Sequence, residues 1–235
     1  MVADVGERSL VVHIGTHKTG TTSFQHALSS ATERIESLGK FHIFRSAYTS
    51  VRGLALELSL LVVRPSLNFT LRRLLPDSTL ESAQAQMRQT VASELSSNAQ
   101  TVILSQEALS FLRTDREFDD LRSLLTASGR TPHFVVVLRK RESFLRSYKS
   151  QLVKMGMPTS SPFTDSLSYT EPDSWLVDTA SLIHGYHRAF GADSLTVLSY
   201  EAMLQVHGSV IPSLWKACGL PEYLLPAEAH WLNRS

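Results

Sequence analysis

Leu10-Val11-Val12-His13-Ile14-Gly15-Thr16-His17-Lys18-Thr19-Gly20-Thr21-Thr22-Ser23-Phe24-Gln25 carries a short apolar run into a two-glycine loop and then into the first turns of a helix. A strand, a tight loop and a helix start, in that order, build an anion site from backbone. Successive N–H groups turn into the loop, and the helix N-terminus adds its partial positive charge. Lys18 adds a full charge, and Thr21, Thr22 and Ser23 add hydroxyls. The frame Gly15-x4-Gly20-Thr21-Thr22 is that of a phosphate-binding P-loop, G-x4-G-K-[ST], with one displacement. Thr21 stands where the lysine belongs, and the loop's lysine is Lys18, two residues ahead of Gly20. In a nucleoside triphosphatase the lysine after the second glycine reaches the β/γ-phosphates, and the next hydroxyl holds magnesium. A ligandless turn of this shape needs neither the lysine nor three successive hydroxyls. The stretch therefore predicts a phosphate or sulfate site and weakens a kinase or ATPase reading.

The chain around it has 235 residues, 43% of them hydrophobic, enough for one sizeable α/β core spanning residues 1–235. Its formal charge of +1 gives no global case for nucleic acid or an anionic membrane surface, so any basic function must come from local clustering. A single cysteine, Cys218, excludes an internal disulfide and a cysteine-rich metal site, and it fits a reducing compartment. Met1 to Arg8 is polar, so no secretory leader is expected. The longest apolar run, Leu54 to Val63, is broken by Glu57 and Ser59 and is too short to span a bilayer. The expectation is a cytoplasmic protein of enzyme size, with no partner in nucleic acid or membrane.

The pattern predicts strands at Ser9–Ile14, Phe41–Phe44, Thr101–Ser105, Phe134–Leu138 and Leu195–Leu198. It predicts helices at Thr22–Leu38, two within residues 52–75 separated at Pro65, then Glu81–Ser97, Asp115–Ser128, Arg141–Lys154, Trp175–Phe190 and Val206–Cys218. Gly156 to Pro172 reads as a long loop rich in Pro, Ser and Thr. Phe134-Val135-Val136-Val137-Leu138 shows no alternation, as in a parallel strand covered on both faces. Alternating strands and helices imply a three-layer α/β sandwich around a parallel sheet, with ligands at the carboxyl ends of its strands.

Those ends are rich in chemistry. Arg139-Lys140-Arg141 follows the Phe134–Leu138 strand, and cations there oppose the dipole of the next helix unless an anion is bound. Arg139 is placed to offer a planar fork to phosphate, and Ser147 lies two turns into that helix. Glu107 follows Thr101–Ser105, positioned either as a general base or as a carboxylate favouring the next helix start. Tyr200 follows Leu195–Leu198, as a base-stacking group or a core aromatic. His13 reads as a strand or loop-bracing histidine. Neither Leu104-Ser105 nor Leu138-Arg139 ends in the aspartate of a magnesium site.

These motifs, in this order, resemble the sulfotransferases that use 3′-phosphoadenosine 5′-phosphosulfate (PAPS). Gly15-Thr16-His17-Lys18-Thr19-Gly20-Thr21-Thr22 is similar to the family's 5′-phosphosulfate loop, with the lysine two residues before the glycine. Arg139 and Ser147, eight apart, are similar to its 3′-phosphate motif, and Leu198-Ser199-Tyr200-Glu201 to its late tyrosine-glutamate pair. His13-Ile14-Gly15 through Gln25 is most similar to bacterial members acting on carbohydrates or small molecules. Asn233-Arg234-Ser235 resembles the basic C-terminal segment that closes over the cofactor.

The resemblance implies metal-independent, in-line transfer of a sulfuryl group from PAPS to an acceptor hydroxyl. Lys18 would stabilise the leaving phosphate. His17, Thr19, Gly20, Thr21 and Thr22 would bind the 5′ end of the donor, with Arg139, Ser147 and Tyr200 at the other end. Family members use a histidine or a glutamate as base; in this chain Glu107 stands at that place. The acceptor is expected to enter beneath Gly156–Pro172 and Arg45–Arg52. A small-molecule kinase with a modified P-loop and a non-catalytic nucleotide-binding module are the alternatives.

Overall fold

The structure is a computed structural model that describes residues 8–67 and 80–227. Five strands, β1 Ser9–His13, β2 Phe41–Ile43, β3 Thr101–Ser105, β4 Thr131–Leu138 and β5 Leu195–Ser199, form one sheet in the order β2-β3-β1-β4-β5. Every pairing is parallel. The described helices are α1 Thr21–Glu36, α2 Leu56–Val62, α3 Leu80–Leu95, α4 Asp115–Thr126, α5 Arg141–Lys154, α6 Thr179–Phe190, α7 Tyr200–His207 and α8 Ile211–Ala217. None of them is long and apolar enough to cross a membrane.

The apolar strands are buried on both faces because they serve two cores. Leu10, Val12, Val102, Leu104, Phe134 and Val136 pack with α2, α3, α4, α5 and α6. Their alternates Val11, Ile103, Val135 and Val137 pack with α1, α7 and α8, through Phe24, Leu28, Met203, Leu214 and Trp215. The period of two along a strand thus divides one continuous apolar run between two helical layers. Cys218, just beyond α8, lies in the second core, where burial pushes its thiol up to about 12.

From β1 the chain steps to one side for β2 and β3, then to the other for β4 and β5. The strand order reverses at β1, and a crevice opens there beyond the strand ends. The loop of Gly15 to Thr22 emerges at that point.

Three elements differ from the sequence expectation. The helix read at Val206–Cys218 is two helices. Ser199 Oγ accepts the Ala202 N–H and starts α7 early, and Gly208, at φ +66°, ends it before α8 begins. The helix read from Trp175 begins at Thr179, because Asp178 Oδ1 accepts the Ser181 N–H and caps it; Trp175–Val177 is a separate 3₁₀ turn. β4 begins at Thr131, earlier than the apolar run announces. The second helix expected within residues 52–75 shows a 3₁₀ turn at Pro65–Leu67; its remainder and Asn233–Ser235 lie outside the described residues.

The end of the sheet opposite the crevice is held by one side chain. Arg130, 2% exposed, donates from Nε to Leu95 O, from Nη1 to Ser9 O and Gln100 O, and from Nη2 to Ser97 O and Ala99 O. Five carbonyls at the starts of β1 and β3 and the end of α3 thereby share one buried cation. Arg130→Met would leave them dry and unpaired, and we expect a loss of roughly 3 kcal/mol in urea unfolding, since bonds to a charged group contribute about 1.5–3 kcal/mol each and are not additive. Arg130→Lys, with a point charge in place of the fork, should recover less than half.

Candidate functional site

The loop of Gly15 to Thr22 is built around two left-handed residues. Gly20, at φ +87°, caps α1, and Lys18, at φ +64°, is the one non-glycine residue with positive φ among the described residues. An L-residue there costs about 1–2 kcal/mol and persists only when neighbours enforce it. Arg139 Nη1 donates to Lys18 O at 2.9 Å, Thr19 Oγ1 to Thr16 O at 2.5 Å, and Thr16 Oγ1 to Val137 O at 2.8 Å. The loop is therefore tied to itself and to the end of β4. At Gly15 an added Cβ would come within 2.6 Å of Thr21 Oγ1 and 2.7 Å of His13 Nε2, so only glycine fits.

Beyond the loop lies a cavity of ≈ 740 Å³. His17, Lys18, Gly20, Thr21, Thr22, Glu107, Arg139, Ser147 and Tyr200 all line it. Thr19 is the one proposed site residue absent from the wall. The residue is fully buried and its hydroxyl is used inside the loop, so it shapes the loop and does not reach the cavity. Ser143, Arg146, Ser150, Gln151 and Lys154 complete the wall along α5. The sequence reading passed over these five, although they share one helical face with Ser147 at three- and four-residue steps. Phe144, Leu145, Tyr148 and Leu152, on the opposite face, are buried. No residue of segments 45–52 or 156–172 lines the cavity. Segment 45–52 is held away at its start by Glu57, which accepts from Ser46 Oγ and the Ala47 N–H.

The cavity concentrates charge that the whole chain lacks. Lys18, Arg139, Arg146 and Lys154 face it against the single carboxylate of Glu107. Lys18 Nζ donates to Gln151 Oε1 at 3.3 Å, a weak contact with a neutral amide that leaves the charge available to a ligand. The Arg139 guanidinium lies 4.6 Å from the Tyr200 ring centre, and its Nε is buried without a hydrogen-bond partner. Thr21 Oγ1 is likewise buried and unpartnered. Two unspent donors beside four cations are the features of a wall built for anionic oxygens. Among the described residues no three His, Cys, Asp or Glu side chains gather as a metal site.

Glu107 opens a 3₁₀ turn, Glu107–Phe111, that Gln106 caps by accepting the Ala108 N–H. His17 Nε2 lies 3.6 Å from Glu107 Oε1. Tyr148, behind them, is raised above its ordinary pKa by burial and by the Glu107 charge.

No protein-family model matches the chain, and no curated protein does. Among solved structures it is similar to a sulfotransferase from Alicyclobacillus acidocaldarius, with a TM-score of 0.57 at 14% identity, over 97% of this chain and 87% of that one. It is also similar to a sulfotransferase domain from the curacin biosynthetic pathway, with a TM-score of 0.47 at 10% identity, over 95% and 76% of the two chains. The likeness to the first is one of fold: an α/β sandwich on a parallel sheet.

Directly beneath the loop, His13 is fully buried. Its Nδ1 lies 2.9 Å from Ser105 Oγ, which also accepts from Gln25 Nε2 at 3.1 Å. Burial lowers its pKa to about 3, so it braces the loop as a neutral ring. The unfolded chain takes up a proton near pH 6.5 that the folded chain refuses, so this histidine costs stability as pH falls below 6.5. From pH 7 to pH 5 we expect it to remove about 2 kcal/mol in urea unfolding, a slope that His13→Asn should lack.

Proposed function

We propose that the chain is a PAPS-dependent sulfotransferase that moves a sulfuryl group to an acceptor hydroxyl. The observation that carries this reading is the convergence of two anion-binding groups, the Lys18 loop and the Arg139–Ser147 pair, with the Glu107 carboxylate on one cavity. The donor is a polyanion with phosphate at both ends of its sugar, and a wall of four cations suits it. On this reading residues 1–235 work as one unit, in the cytoplasm, on a carbohydrate or small-molecule acceptor.

Each residue then has a stated task. Lys18 and the backbone of Thr19 to Thr22, with the hydroxyls of Thr21 and Thr22, hold the 5′-phosphosulfate. They stabilise the charge that grows on the departing phosphate oxygen. Arg139 and Ser147 hold the 3′-phosphate and so select against ATP, which lacks it. Tyr200 stacks on Arg139 and keeps its fork aimed at the cavity. His17 completes the wall beside Lys18. Glu107 accepts the acceptor's proton as the acceptor oxygen bonds to sulfur and the bond from sulfur to the bridging phosphate oxygen breaks. The wall holds both partners in line, which removes much of the entropic barrier.

Calorimetry with adenosine 3′,5′-bisphosphate against ADP tests the donor assignment. Wild type should bind the bisphosphate at least about tenfold tighter, a difference of about 1.4 kcal/mol, and Arg139→Ala should abolish that preference. Equal affinities in wild type, or an Arg139→Ala protein that keeps the preference, would sink the reading.

A further inference from the structure

The structure brings together two residues that the chain order keeps apart. β1 and β3 pair in register, with His13 opposite Ser105, so the residues just beyond them emerge side by side. His17 stands four positions past one strand end and Glu107 two past the other. The His17 ring is stacked on Phe111, with centroids 4.6 Å apart and planes 16° apart. Phe111 closes the same 3₁₀ turn that Glu107 opens. Tyr148 meets the ring edge-on at 6.0 Å. The imidazole is thus clamped between two aromatic side chains, with Nε2 toward Glu107 Oε1 and Nδ1 buried without a partner.

This environment discriminates between the neutral tautomers. A proton on Nδ1 would be an orphaned N–H in a dry site, the costlier kind of unsatisfied group. A proton on Nε2 faces a carboxylate, and a small rotation closes 3.6 Å to a hydrogen bond. Glu107, for its part, has His17 as its one side-chain partner among the described residues, and its side chain is 36% exposed. A glutamate so placed gives up rotamer freedom when fixed, so a base on this turn needs an anchor.

We propose that His17 is a positioning residue for Glu107: its Nε2–H holds Oε1 and leaves Oε2 to receive the acceptor's proton. The inference rests on the sulfuryl-transfer reading and deepens it. It shifts His17 from the donor-binding set to the base. It also gives the loop a second task, because the residue beside Lys18 orients the carboxylate that takes the proton of the attacking acceptor. The other charges on this cavity are Lys18, Arg139, Arg146 and Lys154.

The test uses the full chain and three variants. In ¹⁵N NMR of the histidine side chains, wild type should show the His17 proton on Nε2, and Glu107→Gln should move that resonance while sparing Nδ1. His17→Phe keeps the stacked ring and loses the donor. It should bind adenosine 3′,5′-bisphosphate within about twofold of wild type, keep KM for PAPS, and release labelled sulfate from PAPS to water about 10–100-fold more slowly in kcat. His17→Gln, which restores a donor, should recover most of that loss. A proton on Nδ1, a resonance indifferent to Glu107→Gln, or a His17→Phe protein that loses bisphosphate affinity in proportion to rate would overturn the proposal. Failure of wild type to bind the bisphosphate would instead defeat the donor reading, and the NMR comparison would still decide the His17–Glu107 pair.

Discussion

Lys18 adopts a backbone conformation unfavourable to any side-chain-bearing residue, and the bond from Arg139 Nη1 to its carbonyl helps to hold it there. That bond joins the ends of β1 and β4, the strands that meet where the sheet order reverses. It also joins the two halves of the proposed donor site, since one partner carries the loop charge and the other the fork stacked on Tyr200. Much of the site follows from this tie. The loop is shaped by Gly15, Gly20 and the Thr16 and Thr19 hydroxyls, but its position against the second anion group is secured by Arg139. A ligand that engages Arg139 therefore acts on the conformation of Lys18 as well.

Charge placement follows a similar economy. The chain as a whole is nearly neutral, yet one cavity gathers four cations against one carboxylate. Low-dielectric walls focus such a field, so anion capture does not require a basic protein. At the far end of the sheet Arg130 uses its charge for a different purpose, spending five bonds on backbone carbonyls and offering none to a ligand. Arg130, buried, and Arg139, half-buried at the cavity, thus divide into a structural clamp and a candidate site residue according to what surrounds the guanidinium.

Much of this was legible in the sequence. The unalternated run of β4 announced a strand buried on both faces, and the two glycines around a displaced lysine marked the tight loop that joins β1 to α1. Arg139, Glu107 and Tyr200 stand at strand ends, where a parallel sheet puts its chemistry, and with Ser147, two turns into the next helix, they line one cavity. What escaped notice depended on geometry that spacing alone does not carry. The face of α5 with Ser143, Arg146, Ser150, Gln151 and Lys154 has the spacing of any solvated helical stripe, and only the adjacent cavity gives it a role. The approach of His17 to Glu107 needs the β1–β3 register, and no local pattern encodes that pairing. Thr19 looked equivalent to its neighbours, yet its side chain turns inward to close the loop. The boundaries at Asp178, Ser199 and Gly208 were signalled by capping residues whose weight the apolar periodicity obscured.

The position of β1 has a consequence for the nascent chain. This strand finds its ladder partners only across long separations: Ser9 lies opposite Thr101 of β3, 92 residues on, and opposite Thr131 of β4, 122 residues on. At ordinary synthesis rates of about 5–20 residues per second, roughly ten seconds separate its emergence from that of its last neighbour. Through that interval the run from Leu10 to Ile14, buried in the finished fold, has no sheet to join. The loop of Gly15 to Thr22, tied by Thr16 Oγ1 to Val137 O and by Lys18 O to Arg139 Nη1, thus acquires its shape only after β4 has been made.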